Sequence, residues 1–282
     1  ATVGPTRYLP VFTSRGCPYR CVYCHQLFGK KFRARSPENV AEEIELAVRK
    51  RGAEHIEFLD DIANLDKKRF NRILEILLSR NMKPMLSFPN GIRADIMEED
   101  SIELLKKVGT GEVSIAVETA STRLQEMLNK KLSLDRTERT INAMSKRRIF
   151  TRGFFMLGLP TETEVEMKET IKFAHKSRLH LALFFTPNPY RNTELYDMFI
   201  RAGKEPKGAS SIDYEYFGAP FNGSEVPDEK YRVLYKWAYA GFYFNPKRMW
   251  WILRDRPVKR DIPARAFGLF RNFVSFRRLR EK

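Results

Sequence analysis

All three cysteines of this 282-residue chain fall in one stretch, as Cys17, Cys21 and Cys24 of "RGCPYRCVYCHQ". Three thiolates on one short loop, with no fourth elsewhere, suit few kinds of chemistry. An odd, clustered set argues against a disulfide framework and for a reducing compartment. Structural zinc wants four closed ligands, usually in paired arms. The fourth would have to be His25 or a distant residue, and His25 directly follows Cys24, where adjacent side chains seldom reach one small ion. An iron–sulfur cluster fits better, because thiolates hold such clusters and four normally serve a 4Fe–4S cube. Three would leave one iron open to an external molecule that can chelate it through an amine and a carboxylate.

Such a loop needs a frame. The first 190 or so residues alternate short apolar runs with helical patterns. "YLPVF", "HIEFL", "PMLSF", "EVSIAVE", "GFFMLG" and "LALFF" read as strands. Between them, Ser36-Pro37-Glu38 supplies an N-cap, a first-position proline and an early acid. Val40, Ile44 and Val48 follow at helical spacing, and Gly52 can end that helix. Asp66 begins the next, with Phe70, Ile73, Leu74 and Leu77 on one face. Asp135 to Lys146 and Thr163 to Ser177 are further helices. Parallel strands with crossover helices follow from this order. The first strand leads straight into the cysteines, and carboxyl ends of strands carry the chemistry of such folds.

With its aromatic Tyr23 before the last cysteine, the C-x-x-x-C-x-x-C stretch resembles the radical S-adenosylmethionine superfamily. Further likenesses follow in order: "FLDD", "SIAVETAS", "GFFMLGLPTET" and "TPNPYRNTELYD". The resemblance covers residues 8 to 200 or so and implies a partial (β/α)6, TIM-like barrel. It implies a 4Fe–4S cluster on Cys17, Cys21 and Cys24. It places the methionine amine of S-adenosylmethionine at Asp60 or Asp61 and the ribose at Glu118. The adenine is expected between Tyr23 and the Met156–Leu157 backbone, with Asn90 as a further contact. The charges suit this, since a carboxylate can accept from an ammonium as a charge-assisted bond. The structural alternatives are that Asp61 caps the next segment and that Glu118 pairs with Arg123. Two departures stand out. Thr161 replaces a frequent glycine, and Arg191-Asn192 replaces Pro-Gly, although Asn tolerates left-handed backbone.

"SRGCPYRCVYCHQLFGKKFRARSPENVAEEIE" and "GFYFNPKRMWWILR" resemble the branch whose members carry a cobalamin-binding domain ahead of the barrel. Activities there include methyl transfer and oxidative cyclisation at unactivated carbon. No cobalamin domain fits before Tyr8, so cobalamin is either bound by a domain outside this chain or not used. The chain lacks an initiator methionine and a secretory signal, and reads as a trimmed fragment. The implied reaction takes one electron from reduced ferredoxin or flavodoxin. It cleaves the sulfonium to a 5′-deoxyadenosyl radical, which abstracts hydrogen from the substrate.

Residues 1–203 are expected to form the barrel and 204–282 a mainly helical extension. The formal net charge is +16, and from Lys247 onward twelve Lys and Arg face three Asp and Glu. Trp250, Trp251, Phe267, Phe270, Phe273 and Phe276 lie among them. This basic, aromatic segment suits an anionic surface, whether lipid or nucleic acid. A cytoplasmic enzyme with peripheral membrane contact and a small-molecule or lipid-linked substrate is the expectation. An RNA-modifying enzyme and a non-catalytic, anion-binding barrel are the alternatives.

Overall fold

Six apolar runs pair into one sheet in the computed structural model, which describes residues 7–24, 27–187, 189–204 and 222–257. The strands are β1 (Tyr8–Val11), β4 (His55–Phe58), β5 (Met85–Ile92), β6 (Thr110–Glu118), β7 (Phe150–Met156) and β8 (Leu181–Phe185). They lie in that order and every pairing is parallel. Helices α1 (Pro37–Arg51), α2 (Lys67–Ser79), α3 (Glu99–Val108), α4 (Thr122–Met127), α5 (Leu134–Lys146) and α6 (Glu164–Lys176) provide the crossovers. This is an open (β/α)6 partial barrel with β1 and β8 at its edges. A small antiparallel clip, β2 (Ser14–Arg15) with β3 (Arg33–Ala34), interrupts the first crossover. Periodicity could not reveal it, because two-residue strands carry no alternation.

The core follows the predicted faces. Phe70, Ile73, Leu74 and Leu77 of α2 are all buried, with Ile56, Phe58, Leu86 and Phe88 of the sheet in the same cluster. Ring pairs Phe58–Phe88 and Phe70–Phe88 join strand to strand and strand to helix. The caps form as read. Ser36 accepts from the Asn39 N–H, Asp66 from the Arg69 N–H, and Thr163 makes a reciprocal capping box with Glu166. Each is worth about 1 kcal/mol. Gly52 adopts φ +65° and closes α1.

Helices α7 (Glu194–Arg201), α8 (Asp228–Tyr243) and α9 (Pro246–Asp255) follow. Helix α8 finishes the β8 edge with tyrosines spaced by four. Tyr239 Oη accepts from the Phe184 N–H at 3.1 Å and donates to the Phe184 carbonyl at 3.0 Å. Tyr243 Oη does the same for Ala182, at 3.3 and 2.9 Å. Tyr235 donates to the Phe184 carbonyl and Tyr231 to that of Leu157. Alternate residues of a strand present their backbone groups to the same edge. These hydroxyls therefore replace a seventh strand and leave no unpaired ladder there. The expected 264–280 helix and about two thirds of the Gly/Pro-rich excursion before Asp228 lie outside the described residues.

Candidate active site

The cysteines sit on the loop between β2 and β3, at the carboxyl end of the sheet. Gly16 enters the loop at φ +85°, where an added Cβ would lie 2.2 Å from the Lys31 carbonyl oxygen. Only glycine suits both the backbone and the space. The Gly16 N–H donates to Asp61 Oδ2 at 2.8 Å. The Cys17 N–H reaches the Gly29 carbonyl, and the Cys24 N–H closes a turn on Cys21. Further along, the Val22 N–H donates to the Leu128 carbonyl after α4, and the Val22 carbonyl accepts from the Leu195 N–H of α7. Asn129 Nδ2 donates to the Arg20 carbonyl at 2.9 Å. Arg93, following β5, lies 3.9 Å over the Tyr19 ring and donates to the carbonyls of Lys130 and Lys131. The loop is thus tethered to β4, α4, α7 and the β5 exit.

Burial pushes the Cys17 and Cys24 thiols up, and the neighbouring Cys21 pushes both further. A backbone hydrogen bond from Tyr19 lowers Cys17, and the Lys30 ammonium, bonded to the Tyr19 carbonyl, lowers both. Among the described residues, no three or more His, Cys, Asp or Glu side chains gather tightly enough for a single metal ion. The donor chemistry, three adjacent thiols with a cation at hand, suits an iron–sulfur cluster. His25, the other zinc donor considered, lies outside the described residues.

Glu118 ends β6 at φ +69° and is buried. Its partner is not Arg123. Tyr23 Oη donates to Glu118 Oε1 at 3.0 Å, and Lys130 Nζ donates to Tyr23 Oη at 3.0 Å and reaches Glu118 Oε1 at 3.4 Å. Burial and the Glu118 carboxylate both hold the Tyr23 hydroxyl well above the ordinary phenol range. Arg123 instead forks onto Glu166 at 2.8 and 2.7 Å and donates to the Thr161 carbonyl at 2.7 Å. Burial pushes Glu166 up, but Arg123, Thr163 and Ser121 outweigh it and hold the carboxyl at about 2. This fork pins Thr161 at φ +60°, so the position departs from glycine in side chain but keeps a left-handed backbone. Asn192 likewise takes φ +66°.

Asp60 and Asp61 separate. Asp60 is buried, and its carboxylate accepts from the Thr13 N–H and hydroxyl and from the Ser14 hydroxyl. It splices the β1 exit to the β4 exit. Asp61 is exposed, beside the cysteine loop. Asn90 lies in a bulge of β5 and donates to the Leu59 carbonyl at 2.9 Å. The Leu157 N–H donates to the Phe185 carbonyl, and its own carbonyl accepts from Tyr231, so its backbone is already engaged. Met156, the last residue of β7, pairs with Phe185 of β8.

Sequence reasoning missed Lys130, Arg93 and Glu162. Glu162 accepts from the N–H groups of Gly158 and Leu159 at 2.6 and 3.0 Å, shaping the turn after β7. Burial pushes its carboxyl up to about 8. Its place four residues after Gly158 was a usable signal. Nothing in the sequence marks Lys130, which reaches Glu118 only because Asn129 and Lys131 flank it with φ of +50° and +48°.

The chain is 31% identical over 240 residues to an uncharacterized methyltransferase of Pyrococcus horikoshii, covering 84% of this chain and 51% of that protein. It is 28% identical over 180 residues to the anaerobic magnesium-protoporphyrin IX monomethyl ester cyclase of Rubrivivax gelatinosus, covering 63% of this chain and 32% of that protein. The chain thus spans about half, or less, of the length of these relatives. The fold resembles the radical S-adenosylmethionine methyltransferase TsrM of Kitasatospora setae, solved with cobalamin and a [4Fe-4S] cluster bound. That likeness has a TM-score of 0.61 at 17% identity and covers 80% of this chain and 43% of that one. The family model for the radical SAM superfamily matches residues 11–174, from the exit of β1 through most of α6. With the cysteine loop on the first crossover of an open parallel barrel, the chain belongs to the radical SAM superfamily.

Proposed function

We propose that this chain carries the S-adenosylmethionine-cleaving unit of an enzyme that modifies an unactivated carbon, by methyl transfer or oxidative cyclisation. The superfamily uses a 4Fe–4S cluster and S-adenosylmethionine. Cys17, Cys21 and Cys24 would hold the cluster. When bound and reduced, it supplies the electron that cleaves the sulfonium and yields a 5′-deoxyadenosyl radical. The chain's own residues bind and orient. Asp61 offers a carboxylate to the methionine amine at the mouth of the loop. Glu118, set by Lys130 and Tyr23, faces the ribose hydroxyls. The Tyr23 ring and Met156 border the adenine. Water exclusion and orientation are the protein's share of such catalysis.

The observation that carries this reading is the tethered three-cysteine loop beside the Tyr23–Glu118–Lys130 cluster. The electron donor is a reduced ferredoxin or flavodoxin. Cobalamin, which the TsrM structure holds, would be bound by a domain outside residues 1–282. We assign residues 1–203 to the catalytic barrel and 204–282 to an extension whose helix α8 finishes the barrel edge. Anaerobic reconstitution with iron and sulfide, followed by reduction with dithionite in the presence of S-adenosylmethionine, tests the reading. The product expected by mass spectrometry is 5′-deoxyadenosine. A protein that takes up about one zinc per chain and no sulfide would overturn it.

A further inference from the structure

Helices α8 and α9 point one face at the barrel and, among the described residues, leave the other uncovered. Inward, Tyr231, Leu234, Tyr235, Ala238 and Phe242 are buried on α8, and Arg248, Ile252 and Asp255 on α9. Outward lie Val233 and Trp237, one helical turn apart, then Met249, Trp250 and Leu253. Trp250 is 56% exposed and Val233 64%. Half of the large apolar side chains that stay exposed among the described residues fall on this short part of the chain. Scattered exposed apolar residues need no explanation, but a concentration of them does.

The charges beside them are mainly positive, with exposed Glu229 one turn before Val233 as the exception. Arg232, Lys236 and Lys247 are exposed on the same outer faces. Between Lys230 and Pro257 the only acid is Asp255, which is buried and bonded to Arg148, His180 and Arg254. Arg254 also lies 4.4 Å over the Trp250 ring. The sequence from 258 onward adds eight Lys and Arg against two acids. Like charge opposes pairing these faces with a second copy. Aromatic and aliphatic side chains bordered mainly by cations match an anionic lipid surface. Tryptophan suits the boundary itself, having an apolar body and a polar N–H. Among the described residues no helix is long and apolar enough to cross a membrane, so the contact is one that lies on the surface.

We propose that the outer faces of α8 and α9 dock the protein peripherally on an anionic membrane, with Trp237, Trp250 and Leu253 entering the headgroup boundary. The proposal stands apart from the catalytic reading. Its test is flotation of the full chain with phosphatidylcholine vesicles, with and without phosphatidylglycerol. Binding is expected only with the anionic lipid, and is expected to weaken as salt is raised. Trp237→Glu with Trp250→Glu should reduce bound protein by about tenfold or more, and Arg232→Glu with Lys236→Glu should reduce it less. All four positions are exposed, so the far-UV circular dichroism and the urea unfolding midpoint should be little changed. Three results would overturn the proposal. One is no flotation of folded protein at low salt. Another is undiminished flotation of the double Trp variant. The last is a dimer in sedimentation equilibrium that the double Trp variant abolishes, without vesicle binding, which would assign these faces to a second copy.

Discussion

Tyr23 beside the cysteines and Tyr239 and Tyr243 beside β8 all have hydroxyls that burial pushes above the ordinary phenol range. Their partners differ. Tyr23 joins a carboxylate and an ammonium, groups whose charges can be re-used when a ligand enters. Tyr239 and Tyr243 bond the backbone of an edge strand, donating to a carbonyl and accepting from the N–H of the same residue. Nothing there is left to offer a ligand. The difference separates a region built to bind from one built to close: one keeps charged groups poised in a partly dry setting, the other satisfies every polar group locally.

Removing a thiolate should break the binding region outright and leave the edge intact. Cys21→Ala is expected to lose the iron and sulfide content and the cleavage of S-adenosylmethionine, with the far-UV spectrum and unfolding midpoint unchanged. A variant retaining full iron and sulfide would remove the cluster assignment.

The edge should fail differently. Tyr239→Phe with Tyr243→Phe strands the N–H groups of Ala182 and Phe184 and the carbonyl of Ala182, while Tyr235 still serves the carbonyl of Phe184. A buried group left unpaired costs about 1–3 kcal/mol. Urea unfolding should show a loss of that order per tyrosine, with cluster content per folded molecule preserved. A loss below about 0.5 kcal/mol would mean that water replaces the hydroxyls.

Lys130 sharpens the contrast, because it tests whether the charged partners of Tyr23 are functional. Lys130→Met should weaken S-adenosylmethionine binding by about tenfold, or roughly 1.4 kcal/mol, while Lys130→Arg retains most of it. Equilibrium binding to the reconstituted protein measures both. Equal, wild-type affinity in the two variants would make the cluster of Tyr23, Glu118 and Lys130 purely structural.

The smallest effect lies far from both regions. Burial lowers His55 at the start of β4 to about 4, and its Nε2 meets Ser87 Oγ at 2.7 Å. The unfolded chain takes up this proton near 6.5 and the folded chain resists it. Stability from this residue is therefore full above about pH 6.5 and declines as pH falls toward about 4. His55→Gln should flatten that acid limb of the unfolding free energy. An unchanged slope would assign the limb to the carboxylates.

The strand runs, the helix caps at Ser36, Asp66 and Thr163, and the buried face of α2 were legible because they rest on local rules. An N-cap needs one side chain and the next turn, and an apolar face needs only the helical period. The cysteine spacing and the strand-end motifs were legible because the residues that act together there lie close in sequence. The separation of Asp60 from Asp61 was not, since both are aspartates at one strand end and only the packing of Thr13 and Ser14 decides which is consumed. Nor was the replacement of Arg123 by Lys130 as the partner of Glu118, since both lie within twelve residues and the turn at Asn129 to Lys131 makes the choice. The tyrosines of α8 recur every fourth residue in plain view, but their purpose depends on β8 being the last strand. By itself the sequence determined the kinds of element, the donor set and the family resemblance. Tertiary structure alone decided which polar groups would be spent on each other, because that depends on distances across segments far apart in the chain.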